Sequence, residues 1–296
     1  MKKRFKTNKH HNKYLKIISF ILIIYIFFNL FYNLLYNLYL SKLTNEEIIN
    51  HIIKNTKNNK NSFNILKNPQ YILSDDFTIK KDSINTVKEI PDNVEIYIYS
   101  THETEEYSDK YLEVYNIKPN VKTISYILKD YLTDLGINTY VEEKSVTDVL
   151  HSHNWSYKYS YDATREIISP YIQENPKLKL IIDLHRDSSS LNKTLLSYNN
   201  TNYARILFVV GEEHQEYEKN YKLAEILNNY LNEEIPNITR GILKKGGPGV
   251  NGIYNQDLSS KSVLIELGGQ YNEIEEINNT LNILAKCILK YIEGIK

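Results

Sequence analysis

Four side chains in this sequence have the types and spacing to hold a metal ion and move a proton: His102, Glu105, His185 and Glu266. His185 belongs to the stretch Lys179 to Ser190, K-L-I-I-D-L-H-R-D-S-S-S, where Leu178, Leu180, Ile181, Ile182 and Leu184 form a nearly continuous apolar run interrupted at Lys179 and Asp183. Such a run is the pattern of a strand covered on both faces, and open α/β sheets place their chemistry at the carboxyl ends of such strands. Asp183, His185, Arg186 and Asp187 crowd that end. A neutral imidazole there serves as a metal ligand or a base. Taken alone, the strand reads more simply as a core-edge histidine hydrogen-bonded to Asp183 or Asp187.

Two further strand ends change that balance. A first strand at 94–99 runs into Ser100-Thr101-His102-Glu103-Thr104-Glu105, and a later one at 262–267 carries Glu266 just before Gly268-Gly269. His102 and Glu105 are three residues apart, close enough to grip one ion from a single turn. Two histidines and one carboxylate with an open fourth position form a catalytic zinc set, and a nearby glutamate that is not a ligand is the general base such a site needs. Each piece is weak alone; their coincidence at the ends of parallel strands carries the expectation.

Other candidates are weaker. His151 and His153 lie in a loop-like stretch and suit a surface or cleft. Lys244 to Gly252, K-K-G-G-P-G-V-N-G, lacks the Gly-Lys-Ser/Thr ending of a phosphate loop and is expected to be a mobile loop bordering the site. Trp155, Tyr157, Tyr159 and Tyr161 suit a carbohydrate or peptide groove, although with 26 tyrosines in the chain ordinary packing explains most of them equally well.

The elements that must position these residues alternate between strand and helix. Helices are expected at 119–135, closed by Gly136; at 163–175, kinked at Pro170; at 218–233; and at 273–292. Strands are expected at 94–99, 137–141, 178–184, 204–210, 239–243 and 262–267. The alternation predicts an α/β fold of three layers, with a mostly parallel twisted sheet of about six strands and helices on both faces.

The N-terminal part has a different character. Residues 1–16 hold Lys2, Lys3, Arg4, Lys6, Lys9, Lys13 and Lys16 and no acid. The apolar stretch 17–36, broken only by Ser19, Asn29 and Asn33, is long enough to span a bilayer. The basic cluster places the N-terminus in the cytoplasm and the rest outside, so an uncleaved single-pass transmembrane helix precedes the α/β domain. Residues 37–93 read as a polar stalk and linker, rich in Lys and Asn, and 94–296 as the catalytic domain. Charge is balanced at 36 basic and 36 acidic residues, so no global field favours nucleic acid, and the single Cys287 excludes an internal disulfide or a Cys-rich zinc module.

At its motif residues the sequence resembles the stage II sporulation protein P family, a membrane-anchored branch of the N-acetylmuramoyl-L-alanine amidase fold. The matching pieces are T-H-x-T-E (Thr101 to Glu105), S-Y-x-x-T-R (Ser160 to Arg165), I-D-L-H-R-D-S (Ile182 to Ser188), F-V-V-G (Phe208 to Gly211), Y-N-Q-D-L (Tyr254 to Leu258) and L-I-E-L-G-G (Leu264 to Gly269). They occur in family order and span everything past the stalk. Where the family pattern opens with two histidines around a threonine, the first is Ser100 here.

The resemblance implies zinc held by His102, Glu105 and His185, with Glu266 as catalytic carboxylate. Arg186 is then expected to help the oxyanion or hold a peptide carboxylate, and Asp183 to orient a ligand. It further implies hydrolysis of the amide between N-acetylmuramic acid and L-alanine, with peptide cross-links as a second target, during engulfment in sporulation. Expected partners are the peptidoglycan substrate, the cell membrane, a lytic transglycosylase and other sporulation membrane proteins, with no nucleic acid. Two alternatives stand beside it: an inactive wall-binding scaffold of the same machinery, and a metal-free hydrolase using His185, Asp183 and Ser188.

Overall fold

The computed structural model of the chain describes residues 93–108 and 119–295. The basic tail (1–16), the anchor (17–36) and the stalk up to residue 92 lie outside the described residues. Among the described residues no helix is long and apolar enough to cross a membrane.

The expected alternation is present. The elements are β1 (Ile96–Tyr99), α1 (Val121–Asp134), β2 (Thr139–Val141), α2 (Val146–Ser152), a 3₁₀ turn (Tyr157–Tyr159), α3 (Ser160–Glu174) and β3 (Leu180–Asp187). There follow the single turn α4 (Leu191–Thr194), β4 (Leu195–Tyr198), β5 (Thr201–Ala204), β6 (Ile206–Gly211), α5 (Tyr217–Glu234) and β7 (Thr239–Lys245). A second 3₁₀ turn (Gln256–Leu258), β8 (Ser262–Gly269) and α6 (Ile274–Gly294) complete the fold. Six strands form one sheet in the order β2-β1-β3-β8-β6-β7. β2, β1, β3 and β8 run parallel, while β6 is antiparallel to β8 and β7 follows β6.

Local chemistry explains the element ends. Asn120 caps α1 by accepting from the Thr123 N–H at 2.9 Å, and Gly136 follows the helix at φ +80, a left-handed conformation that glycine takes without strain. Glu273 and Glu276 form a reciprocal capping box at the start of α6. Pro170 sits inside α3 on its exposed face. α2 was not anticipated; Ser145 caps it through the Asp148 N–H at 3.2 Å, a signal followed by too few apolar residues to read as a helix. The β4–β5 hairpin, with Asn199 and Asn200 both at positive φ, was also not anticipated, although an Asn-Asn turn between alternating residues is a recognisable hairpin signal.

Alternation along β3 divides its side chains between two cores. Leu180, Ile182 and Leu184 pack into the large core with α1, α5 and α6, whereas Ile181 packs with α2 and α3. Asp183 and His185 follow Ile181 at spacing two and therefore share its face. Register extends that face sideways, since Tyr99 pairs with Asp183 on one side of β3 and Glu266 pairs with His185 on the other. Over β6 and β8 this face is covered by Tyr254 and Tyr161, which enclose Val209 and Leu264.

The residues after Glu266 turn sharply. Gly268 has φ +63, and a Cβ there would lie 2.8 Å from Asn272 Oδ1 and 2.9 Å from Ala204 Cβ. Asn272 is fully buried and accepts the Gly269 N–H at 2.7 Å. Gly268→Ala is therefore expected to cost about 1–3 kcal/mol, seen as a lower urea midpoint with an unchanged slope. A midpoint equal to that of the wild type would refute this account of the turn.

Candidate metal centre

The centre is built from a turn and two neighbouring strands. Past β1 the chain turns at Thr101 to Thr104, and the Glu105 N–H donates to the His102 carbonyl at 2.9 Å, bringing the two side chains to one side. Three anchors hold this turn. The Thr101 N–H and hydroxyl donate to Asp183 at 2.9 and 2.8 Å. The Glu103 carboxylate accepts from the Ser145 hydroxyl at 2.7 Å and the Thr147 N–H at 3.0 Å, tying the turn to the start of α2. The Glu105 carbonyl accepts from Val121 N–H at 3.0 Å, tying it to α1.

With the turn so held, one ligand atom from each of His102, Glu105 and His185 lies within 4.8 Å of the others. His102 Nδ1 is 3.5 Å from Glu105 Oε1, and His185 Nδ1 is 3.8 Å from Glu105 Oε2. The two imidazoles meet edge to face, with centroids 5.0 Å apart. In a tetrahedral zinc site with bonds of about 2.0–2.1 Å, ligand atoms stand about 3.4 Å apart, so these three need only small adjustments to take one ion. His185 is 3 % exposed in its side chain, and its Nε2 lies 2.9 Å from Asp183 Oδ1. That contact is an ion-pair approach without hydrogen-bond alignment, since Nε2 has no hydrogen-bond partner. It still fixes which nitrogen faces the centre: with Nε2 turned to Asp183, Nδ1 is left for a metal, the arrangement in which a carboxylate orients a ligating histidine.

Electrostatics favour a cation. Burial alone would lower the pKa of His185, but Asp183, Glu266 and Glu105 outweigh it and raise it to about 9. Burial would raise Glu105, yet His102, His185 and the Arg186 N–H hold its carboxyl below the ordinary range. Glu266 moves the other way: burial, with Glu105 and Asp187 adding to it, pushes its pKa up against the pull of His185 and Lys245. Its Oε2 is buried with no hydrogen-bond partner among the described residues. An orphaned, proton-seeking carboxylate oxygen beside three clustered ligand atoms is what the donor set for a hydrolytic metal requires.

The remaining sequence candidates are placed as follows. Arg186 donates its backbone N–H to Glu105 Oε2 at 3.1 Å and its Nε to the Glu106 carbonyl at 2.8 Å, so it braces the turn from below. Ser100 turns away from the centre, with its hydroxyl 3.3 Å from that of Ser125 in α1. The side chain at position 100 therefore contributes nothing to the ligand set, and His102 keeps its place without a histidine there. His151 ends α2 on the surface, and His153 stacks on Trp155 at 4.3 Å and pairs with Glu166 at 3.0 Å. Of the stretch Lys244 to Gly252, Lys244 and Lys245 end β7, and it is Tyr254 just beyond it whose ring meets Tyr161 edge-on at 5.3 Å. The chain after Tyr254 is pinned: Gln256 accepts the Gly211 N–H at 3.0 Å and donates to the Val209 carbonyl at 2.8 Å.

Residues that the sequence left in the background also matter. Thr101 clamps Asp183, and Glu103 ties down the ligand turn. Tyr157 stacks on His102 with centroids 4.9 Å apart, and Tyr161 lies 6.3 Å from His185 in a near-parallel arrangement. Nothing short of the tertiary fold could have paired these rings with the histidines. Arg165 and Asp257, from two of the motifs, form a two-pronged ion pair at 2.9 and 2.7 Å that ties α3 to the turn before β8.

Comparison with known proteins gives a consistent set of likenesses. A family model described as Stage II sporulation protein P (SpoIIP) matches residues 35–289. Stage II sporulation protein P of Bacillus subtilis (strain 168) is 34% identical over 197 residues, which are 64% of this chain and 49% of that protein, so the chain spans about half the length of the curated relative it matches. Among solved structures, the CwlD amidase from Clostridioides difficile in complex with the GerS lipoprotein is 13% identical with a TM-score of 0.44, covering 68% of this chain and 99% of that one. An N-acetylmuramoyl-L-alanine amidase from Clostridium difficile 630 is 14% identical with a TM-score of 0.41, covering 68% and 96%. A metallo-carboxypeptidase from Burkholderia cenocepacia is 9% identical with a TM-score of 0.40, covering 72% and 60%.

Two measurements test the centre itself. His185, raised to about 9, carries a proton at pH 7, and ligation needs its neutral form. Zinc binding at pH 7 should therefore release about one proton, and affinity should weaken as pH falls below 9, both readable from calorimetry in buffers of different ionisation heat. Heats that do not depend on the buffer would show that His185 is not the displaced acid. Asp183→Asn should weaken zinc roughly 10–100-fold, because the neutral amide no longer fixes the ring of His185; an unchanged affinity would remove Asp183 from the centre.

Proposed function

The chain belongs to the stage II sporulation protein P family, and from that premise we propose that it is a zinc-dependent N-acetylmuramoyl-L-alanine amidase acting on peptidoglycan during engulfment in sporulation. The observation that carries this reading is the orphaned Oε2 of Glu266 in register beside His185, the buried member of the His102–Glu105–His185 cluster. Residues 17–36 anchor the chain in the cell membrane as a single pass, the N-terminus is cytoplasmic, and the stalk at 37–93 holds the catalytic domain, 94–296, at the wall. A lytic transglycosylase and other sporulation membrane proteins are the proposed partners. Peptide cross-links are a second substrate class for the same centre.

His102, Glu105 and His185 would hold the metal. When bound, the zinc ion supplies Lewis-acid activation of water and of the scissile carbonyl. Glu266 takes the proton of the attacking water on Oε2 and returns it to the leaving amine; the raised pKa suits both halves of that task. Arg186 keeps Glu105 in place through its backbone N–H, and its guanidinium is the proposed donor to the oxyanion.

The metal-free alternative finds little support. The nitrogens of His185 face Glu105 and Asp183, leaving none to serve Ser188 as a base. A purely binding role would not need a proton-seeking carboxylate beside three ligand atoms.

Glu266→Gln is expected to lower turnover of purified peptidoglycan by about 10²–10⁴-fold while zinc content stays at the wild-type level. Mass spectrometry of the digest distinguishes the bonds: intact released stem peptides mark amidase action, and cut cross-links on peptides still joined to glycan mark endopeptidase action. Full activity of the Gln variant, or activity that survives chelation, would sink this mechanism.

A further inference from the structure

The metal centre lies between two surfaces of different character. On its β1 side the ring of Tyr157 stacks on His102 at an interplanar angle of 26°, and its other face is open, leaving the residue 54 % exposed. Tyr159 and Trp155 lie along the same aromatic stretch, their rings 5.6 Å apart, with the Lys158 ammonium over the Tyr159 ring at 4.7 Å. On the other side, beyond Glu266, the register of β6 and β7 sets a second surface. Leu207 pairs with Glu266, Val209 with Leu243, and Gly211 with Lys245, so Leu207, Leu243 and Lys245 all project from the face that carries Glu266.

Tyr254 covers Val209 and the Gly252 backbone packs on Gly211, so the open part of this second surface is the β7 side, around Leu243 and Lys245. The α2 and α3 core does not extend over Leu243, which is 42 % exposed. Lys244 points to the opposite face, where it approaches Glu212 and the rings of Tyr217 and Tyr221. Lys245 has no ion pair among the described residues, and its charge is felt at Glu266. Four strand positions separate the Leu207 and Gly211 levels, roughly 13 Å, so an extended peptide that leaves Glu266 over Leu207 and crosses to the uncovered Leu243, outside the loop on Val209 and Gly211, comes within reach of Lys245 in about its first four residues.

A muramyl peptide has the same two-sided chemistry, with a neutral sugar on one side of the scissile amide and an acidic peptide on the other. We propose that the substrate lies across the centre in one orientation, with the sugar on the open face of Tyr157 and the stem peptide over Leu243, where the Lys245 ammonium pairs with a peptide carboxylate. Lys245 is then a specificity determinant that selects acidic stem peptides, and Tyr157 a platform that sets the distance of the sugar from His102. This rests on the amidase reading.

The test uses soluble disaccharide-peptides with their carboxylates either free or amidated, cut by the zinc-loaded full chain. For the wild type, amidation should raise KM about tenfold through loss of a charge-assisted contact. Lys245→Gln should raise KM for the free-carboxylate substrate by a similar factor and abolish the difference between the two substrates, while Lys245→Arg restores it. Tyr157→Ala should weaken both substrates alike and keep the tenfold difference. Equal zinc content and matching circular dichroism across the variants exclude misfolding. A wild type that cuts both substrates equally well, a Lys245→Gln variant that still discriminates, or a Tyr157→Ala variant that loses discrimination overturns the orientation and leaves the amidase reading standing. A wild type that cuts neither substrate overturns both.

Discussion

Asp183 is the charge on which this architecture depends. It is 2 % exposed, and a carboxylate taken that far from water must be satisfied by partners or drive the structure apart. Thr101 supplies two donors to it and His185 approaches it from the same strand. The solvation demand of one buried group thus joins the turn after β1 to the end of β3. Removing any of the partners would leave the charge under-compensated, so the placement of His102 and Glu105 is coupled to that of His185 even though more than seventy residues separate them.

Much of this was legible in the chain and some was not. The apolar run before His185 identified a buried strand because its alternation still leaves Ile181, Asp183 and His185 on one side. The strand ends carrying His102 and Glu266 were legible for the same reason, and the structure sets β1 and β8 on either side of β3. Strand direction was not legible. Periodicity is the same read forward or backward, so nothing in 204–210 or 239–243 announced that β6 and β7 would run against β8. The stacking of Tyr157 on His102 joins residues far apart in sequence, and in a chain so rich in tyrosine composition gave it no prominence.

The two faces of the sheet are treated differently, and the difference creates the site. One face is sealed by α1, α5 and α6 over a continuous aliphatic core. The other is covered by α2 and α3 at one end and only by a pinned loop in the middle, where Gln256 takes over backbone groups of β6. The sealed face supplies the rigidity; the partly covered one leaves Glu266 half-buried while keeping its Oε2 out of water.

The outer border of the sheet has a consequence of its own. Among the described residues β7 is a terminal strand with an unpaired side, and such a border invites another chain to dock along it. Here the register slips between Ile206 and Phe208, Gly241 takes φ +89 where a regular strand would not, and two consecutive lysines close the segment. An irregular backbone and paired positive charges make a poor template for intermolecular pairing. Copies of this chain at high local concentration would be protected from zipping together along that strand by the irregular backbone and the lysines that end it.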